Sequence, residues 1–277
     1  MLRITFLGTG TSHGVPVIAC DCAVCRSADP RDRRLRSSIH IDADGTSLVI
    51  DTGPEFRLQS LRAGIRSLDL ILLTHAHADH IAGLDDIRPL SHDRILPIYG
   101  NAATLEEAMQ RYSYAFAPLQ SGGGLPRFEL RPAPAGGIEV GAAPGTRHRL
   151  VPVPLLHGIL PILGWRIGGF AYLTDCSEIP EPSRRLLEGI EILVIDGLRL
   201  APHETHFSVD QALEAALSLG ARETWLTHIN HEHGHAELEA YCAAHGHGAG
   251  LRPAWDGLVL ELPGTGLSGT GMPGAAR

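Results

Sequence analysis

The sequence predicts an α/β chain, and three observations carry that prediction. Short apolar runs recur through both halves, and several of them end in a His or an Asp. Between them lie stretches with apolar residues at helical spacing, so strands and helices alternate, with no internal repeat of fixed period. At 277 residues and 44% hydrophobic content, there is enough chain to bury a large core as one big domain or two modest ones.

Residues 2–7 read as a strand running into Gly8-Thr9-Gly10-Thr11-Ser12-His13-Gly14. That loop lacks the third glycine and helix start of a dinucleotide fingerprint and the Gly-Lys-Ser/Thr ending of a P-loop, so its glycines are read as letting backbone pass close to a site. Cys20, Cys22 and Cys25 follow, and three thiolates at this spacing can wrap one tetrahedral zinc that needs a fourth ligand from elsewhere. The odd, clustered cysteine count speaks for metal rather than a disulfide framework, and the isolated Cys176 and Cys242 are expected as buried thiols. Arg31, Arg33, Arg34 and Arg36 are expected in a solvated loop around the knuckle in preference to a phosphate clamp. Strands at 38–42 and 47–51 are joined by Ala43-Asp44-Gly45-Thr46, and the second ends in Asp51-Thr52-Gly53-Pro54 before a helix at 56–63.

The apolar run Leu70-Ile71-Leu72-Leu73 then ends in Thr74-His75-Ala76-His77-Ala78-Asp79-His80, three imidazoles and a carboxylate within six residues. Neutral imidazole suits zinc, iron and nickel, and carboxylate compensates the charge of a hard or borderline cation. His75 and His77 project to one side if strand geometry continues, while Asp79 and His80 turn toward a second position, which suggests two adjacent metal ions. Residues 81–87 have helical spacing, so the cluster sits in a strand-to-helix turn, where loops carry function on a rigid scaffold.

Further on, residues 97–100 read as a short strand, 102–111 as a helix, and 118–137 as irregular surface with one strand at 128–130. A strand from 150 ends in His157; a hairpin of 165–167 and 170–174 about Gly168-Gly169 ends in Asp175; a buried strand at 190–195 ends in Asp196; and a strand from 223 ends in His228 and His231. Ser208, with Gln211 three residues on, forms a capping box for a helix over 209–219 that stops at Gly220, which holds His206 just before a helix start, an anion-friendly place. A helix at 236–244 and a strand at 258–262 complete the elements.

The net charge of −8 speaks against long nucleic acid, which calls for excess Lys and Arg. A small anionic substrate stays compatible, because the local field of a metal site overrides net charge. No uninterrupted apolar stretch approaches the ~18 residues of a membrane span, and the chain starts directly with a strand, so a cytoplasmic location without membrane attachment is expected.

The cluster His75, His77, Asp79, His80, followed in order by His157, Asp175 and His228, resembles the metallo-β-lactamase superfamily from residue 2 to about residue 262. The resemblance implies a four-layer αββα sandwich, two mixed sheets face to face with helices outside, and a binuclear site at one rim. One hydrolase domain is expected over 1–262, with the knuckle at 20–25 and a disordered Gly-rich tail over 263–277. Within the superfamily, the Cys20, Cys22, Cys25 knuckle and His231 resemble the phosphoribosyl 1,2-cyclic phosphate phosphodiesterase group, which uses such residues for a separate structural Zn²⁺; His13 departs from related chains.

This resemblance implies that His75, His77 and His157 hold one divalent ion, Asp79, His80 and His228 a second, with Asp175 bridging, the ions being Zn²⁺ or Mn²⁺. A hydroxide bridging them would attack a small cyclic phosphate diester. Asp79 and His206 are the catalytic candidates, with His206 contacting phosphate and protonating the leaving alkoxide, and Asp51 orienting ligand imidazoles from behind. Dimers are common in the group, so a homodimer is among the expectations. His40, His92, His148, His203, His245 and His247 lack ligand spacing and are expected as ordinary surface or partly buried imidazoles, and His233 and His235 could compete for the knuckle zinc. Two rival functions are weighed. A tRNA 3′-processing ribonuclease shares the binuclear site but carries a long arm where only seventeen residues separate His157 from Asp175. A non-hydrolytic metal-binding protein resembling the pyrroloquinoline quinone biosynthesis B protein shares the knuckle but departs from the full HxHxDH pattern kept here.

Overall fold

The computed structural model describes residues 1–117, 124–141, 147–246 and 248–263; the expected tail, His247 and the start of the irregular stretch at 118 lie outside the described residues. The first half runs β1 (Leu2–Gly8), β2 (Ser38–Ala43), β3 (Thr46–Ile50), α1 (Phe56–Ala63), β4 (Leu70–Leu72), α2 (Ala78–Ile81), β5 (Leu96–Gly100), α3 (Ala102–Arg111) and β6 (Phe128–Pro132). The second runs β7 (Ile138–Val140), β8 (His148–His157), β9 (Leu160–Ile167), β10 (Phe170–Leu173), α4 (Glu181–Leu186), β11 (Ile192–Asp196), α5 (Val209–Leu219), β12 (Glu223–Thr227), α6 (His235–His245), β13 (Leu251–Pro253) and β14 (Val259–Leu262).

These strands make two seven-stranded sheets, ordered β14-β1-β2-β3-β4-β5-β6 and β13-β12-β11-β10-β9-β8-β7. Period-two alternation decides which side chains lie between them. Ile4, Phe6, Ile39, Ile41, Leu48, Ile50 and Leu72 from the first sheet meet Trp165, Ile167, Phe170, Tyr172 and Val194 from the second in one buried layer. Each such side chain contributes about 1.5–3 kcal/mol by leaving water. The opposite face of the first sheet is covered by Phe56, Ile81, Leu84 and Ala108, and that of the second by Leu187, Val209, Ala212, Ala216, Leu238 and Cys242. The result is the expected four-layer αββα sandwich, two sheets face to face with helices outside. Among the described residues no helix is long and apolar enough to cross a membrane.

Local chemistry explains most boundaries. The β2–β3 turn takes Asp44 and Gly45 to φ 50° and 86°, which is why it carries an Asp-Gly pair. Ser208 Oγ accepts from Gln211 N while the Gln211 side chain accepts from Ser208 N, so α5 has the expected capping box, and it ends on Gly220 at φ 69°.

Three expectations are corrected. The helix after the histidine cluster is not continuous: α2 stops at Ile81, and Leu84–Leu90 is a 3-10 helix. Gly83 packs so tightly that a Cβ there would overlap the Gly53 carbonyl and lie 2.6 Å from Phe56 Cβ, and Pro89 blocks an α-helical ladder. The basic run is solvated only in part: Arg33 is exposed and Arg31 and Arg36 are half-buried, but Arg34 is 2% exposed and donates to Thr9 Oγ1 (2.9 Å), Ala254 O (2.6 Å) and His235 Nδ1 (3.1 Å). Lastly, the strand expected at 128–130 extends to Pro132, because it pairs in parallel with β5 as far as Gly100. Cys176 and Cys242 are buried thiols.

Candidate metal centre

Parallel pairing of β3, β4 and β5 in one sheet and of β10, β11 and β12 in the other puts their carboxyl ends at one rim. Asp51, Thr74, His75, Asp175 and His228 follow those ends, and Asp196 is the last residue of β11. The two sheets are tied there by Leu163 N–H donating to Thr74 O (3.0 Å) and Trp165 Nε1–H to Leu73 O (3.2 Å). Asp51, Asp175 and His228 sit at φ 62°, 56° and 58°, left-handed backbone that non-glycine residues avoid.

The expected ligands converge. Nitrogens of His75, His77 and His157 lie within 4.8 Å of one another, and so do donor atoms of Asp79, His80, Asp175 and His228. His80 Nε2 is 3.2 Å from both Asp79 Oδ2 and Asp175 Oδ1; His228 Nε2 is 3.1 Å from Asp175 Oδ2; His75 Nε2 is 3.9 Å from the same oxygen. Asp175 therefore faces donors of both groups.

The outer ring nitrogens of His75, His80 and His157 are held from behind, whereas His228 Nδ1 is buried with no hydrogen-bond partner. Asp51, fully buried, accepts from His80 Nδ1 (2.7 Å), Thr74 N (2.8 Å) and Thr74 Oγ1 (2.8 Å). His157 Nδ1 donates to Thr205 O (2.7 Å) and His75 Nδ1 meets Thr74 Oγ1 (3.0 Å). These contacts fix which ring nitrogen points inward. The inward atoms, His75 Nε2, His80 Nε2 and His228 Nε2, are buried without a hydrogen-bond partner. A buried polar atom left so is costly, and a cation bound by imidazole and carboxylate would satisfy all three. The electrostatics agree. Burial opposes charge on His80, yet Asp175, Asp79 and Asp51 outweigh it and drive its pKa well above the imidazole norm. Burial likewise opposes charge on Asp175, and His228 and His80 reverse that, holding its pKa well below the usual range.

His206 stands against this cluster, its ring 4.6 Å from His157 and 4.7 Å from His228. Its Nδ1 meets Asp196 Oδ2 at 2.6 Å. Asp196 was legible as a strand-end acid, but nothing in the sequence tied it to His206. Burial pushes the His206 pKa down and that of Asp196 up, so the pair favours one shared proton over two charges. His203, expected as an ordinary imidazole, is exposed but lies 5.2 Å ring to ring from His206.

Away from this rim, His231 Nδ1 lies 3.4 Å from Cys20 Sγ and 3.5 Å from Cys22 and Cys25 Sγ, a donor set whose softness and count fit tetrahedral zinc. His233 and His235 do not join it: His233 pairs with Glu237 (2.8 Å), and His235 is buried against Arg34. His13 is exposed. The Gly8-Thr9-Gly10 loop passes close to other backbone, since a Cβ on Gly10 would lie 3.0 Å from Arg34 O and Thr11 N–H donates to Ile229 O, next to His228.

A family model for the beta-lactamase superfamily domain matches residues 46–229. The chain belongs to the beta-lactamase superfamily. Within it, a crystal structure described as a new diphosphatase from the PhnP family is 41% identical and superposes with a TM-score of 0.84 over 95% of this chain and 98% of that one. An octanoyltransferase of Porphyromonas gingivalis is 39% identical over 241 residues, 86% of this chain, but the chain spans only about half, 47%, of that protein. A coenzyme PQQ synthesis protein B of Methylobacterium radiotolerans is 29% identical over 229 residues, covering 71% and 73% of the two chains. The superfamily match accounts for the metallo-β-lactamase fold, and the donor clusters are groups of side chains able to hold metal.

Proposed function

We propose that this chain is a hydrolase of small phosphate diesters, with a cyclic diester of the phosphoribosyl 1,2-cyclic phosphate kind as the natural substrate class. The observation that carries the proposal is His206, an imidazole backed by the buried Asp196 carboxylate, stacked on the His228 ring and edge-on to that of His157. Diester hydrolysis needs a proton for the departing alkoxide, and an imidazole in this position is suited to deliver it.

His75, His77 and His157 would hold one divalent ion, and Asp79, His80 and His228 a second, with Asp175 shared. Such ions, when bound, lower the pKa of water and offset phosphate charge. The protein's own part is orientation. Asp51 keeps the His80 Nδ1 proton pointing away from the rim, and Thr205 O does the same for His157. Asp196 keeps the His206 Nδ1 proton engaged, which leaves Nε2 as the atom that exchanges a proton with substrate. A phosphate anion beside His206 favours its protonated form, the opposite of the effect of burial. The Cys20, Cys22, Cys25 and His231 set would hold a structural Zn²⁺.

A second substrate class has one observation in its favour, the diphosphatase description of the 41% identical PhnP-family structure. A diphosphate substituted at both ends presents the same doubly substituted phosphorus. Against a tRNA 3′-processing activity, β8 and β9 join tightly, Leu160 pairing with His157, and β10 follows directly, so no arm extends between His157 and Asp175.

The test is a kinetic panel on wild type and His206→Ala with ribose cyclic phosphates, 2′,3′-cyclic nucleotides, bis(p-nitrophenyl) phosphate, a disubstituted diphosphate and precursor tRNA. Cyclic diesters should turn over, and His206→Ala should slow them by about 10²–10⁴-fold with metal content kept. Unchanged rates in the variant would remove His206 from the chemistry, and preference for the diphosphate would replace the substrate class.

A further inference from the structure

The segment 197–206 that delivers His206 belongs to neither sheet. Its ends are pinned by backbone hydrogen bonds, Gly197 N–H to Thr227 O (3.0 Å) and Phe207 N–H to Cys176 O (2.8 Å), but residues 201–204 are exposed. One side chain organises that middle. Arg199 donates through Nε to Ala201 O (3.2 Å), through Nη2 to Pro202 O (3.0 Å) and through Nη1 to Glu232 Oε1 (3.1 Å).

Glu232 is itself fixed. Its Oε1 accepts from Asn230 Nδ2 (2.9 Å), its N–H donates to Asn230 Oδ1 (2.9 Å), and Asn230 N–H donates to Leu198 O (3.0 Å). It follows His231 directly, so it is carried by the turn that the three cysteine sulfurs surround. The Arg199 and Glu232 side chains are 29% and 41% exposed, and an exposed pair contributes only about 0–1 kcal/mol to stability. Its consequence is geometric: the planar guanidinium holds two successive loop carbonyls in one fork while anchored to a rigid turn.

We infer that Glu232 and Arg199 are positioning residues for His206, seating its loop against the cysteine–histidine turn so that the imidazole stays on Asp196 and beside His157 and His228. This rests on the proposal that His206 protonates the leaving group. Once Arg199 is released, the exposed residues 201–204 that lead into His206 lose the two carbonyl contacts that order them.

The test compares wild type, Glu232→Gln, Arg199→Met, the double variant and His206→Ala as full chains. Two readouts are used: kcat on diesters with alkoxide and with p-nitrophenolate leaving groups, and the low-field ring N–H proton resonance of His206, identified by its absence in His206→Ala. A nitrophenolate departs without a proton, so it reports everything except the acid. We expect kcat on alkoxide esters to fall about 10- to 100-fold in each variant, the scale of a small misplacement, with KM, nitrophenyl ester turnover and melting temperature unchanged. The double variant should be no worse than either single, and the His206 resonance should broaden or vanish in all three. Retention of that resonance with undiminished alkoxide rates would overturn the inference, as would an equal loss on both leaving groups with early melting. Should His206→Ala itself spare alkoxide esters, the proton-donor proposal falls alone, and the resonance still decides whether Glu232 and Arg199 place the ring.

Discussion

Asp51→Asn isolates what a buried carboxylate does behind the His80 imidazole. Asn tolerates the left-handed backbone that Asp51 adopts at φ 62°, so the main chain has no reason to move. The carboxylate accepts Thr74 N–H on Oδ1 and both Thr74 Oγ1–H and His80 Nδ1–H on Oδ2. An amide can accept on one side only. With its oxygen at the Oδ2 position it keeps two bonds and sets an NH₂ against the buried Thr74 N–H; with the amide reversed it opposes two donors. The first orientation is cheaper, and one stranded buried donor costs about 1–3 kcal/mol. Loss of the negative charge behind His80 also makes the inward Nε2 a poorer donor to metal, which lowers affinity by about 10- to 100-fold. Urea unfolding in chelator should show the stability loss without metal, and calorimetric titration with Zn²⁺ or Mn²⁺ should show the affinity loss. Equal metal-free stability and equal affinity in Asp51→Asn and wild type would refute this account of the support behind His80.

Two further outcomes follow from the fold. His235 is 1% exposed and accepts from Arg34 through Nδ1, and burial together with Arg34 pushes its pKa down to about 4. Its folded value lies below the unfolded one near 6.5, so the stability it lends is complete above pH 6.5 and is lost as pH falls toward 4. Denaturant unfolding across that window should lose about 3 kcal/mol more in wild type than in His235→Phe, and parallel curves would exclude His235 as the cause. Gly83→Ala forces a methyl onto the Gly53 carbonyl and Phe56, and thermal melts should register a loss of about 1–3 kcal/mol, whereas an unchanged melt would mean the 83–84 junction yields freely.

The sequence was most informative where covalent spacing and geometry coincide. A run of four apolar residues before Thr74-His75-Ala76-His77-Ala78-Asp79-His80 reads as a buried strand delivering its next residues to a rim, and β4 does so. The capping box at Ser208 likewise placed the start of α5 to the residue. The illegible features depend on partners distant in sequence. Arg34 looks like any basic loop residue until Thr9, Ala254 and His235, the last two more than two hundred residues away, close around it. Asp196 reads as a strand-end acid with no assigned work until His206, ten residues later, folds back onto it. The helix expected after the cluster broke for a similar reason: apolar spacing at 81–87 is real, but the close approach of Gly53 to Gly83 is a tertiary fact that periodicity does not encode.

Strain marks the same rim from an independent direction. Among the described residues, five non-glycine positions have positive φ, and three of them are strand-end residues of this rim, Asp175 and His228 in the donor cluster and Asp51 directly behind it. Backbone of this kind costs of order 1–3 kcal/mol per residue and persists only where surrounding structure over-determines it. The over-determination is visible: Thr74 and His80 grip the Asp51 side chain while Ser38 Oγ–H donates to its carbonyl, and Ile229, next to His228, donates to Thr9 O (2.9 Å). A relaxed strand would continue its alternation and send Asp175 or His228 into the core or out to solvent. The left-handed turn instead aims each side chain along the rim, where Asp175 reaches His80, His228 and His75 at once. The sandwich thus gives up part of its packing energy to hold donors from two sheets at one place, where a cation would satisfy the inward nitrogens of His75, His80 and His228.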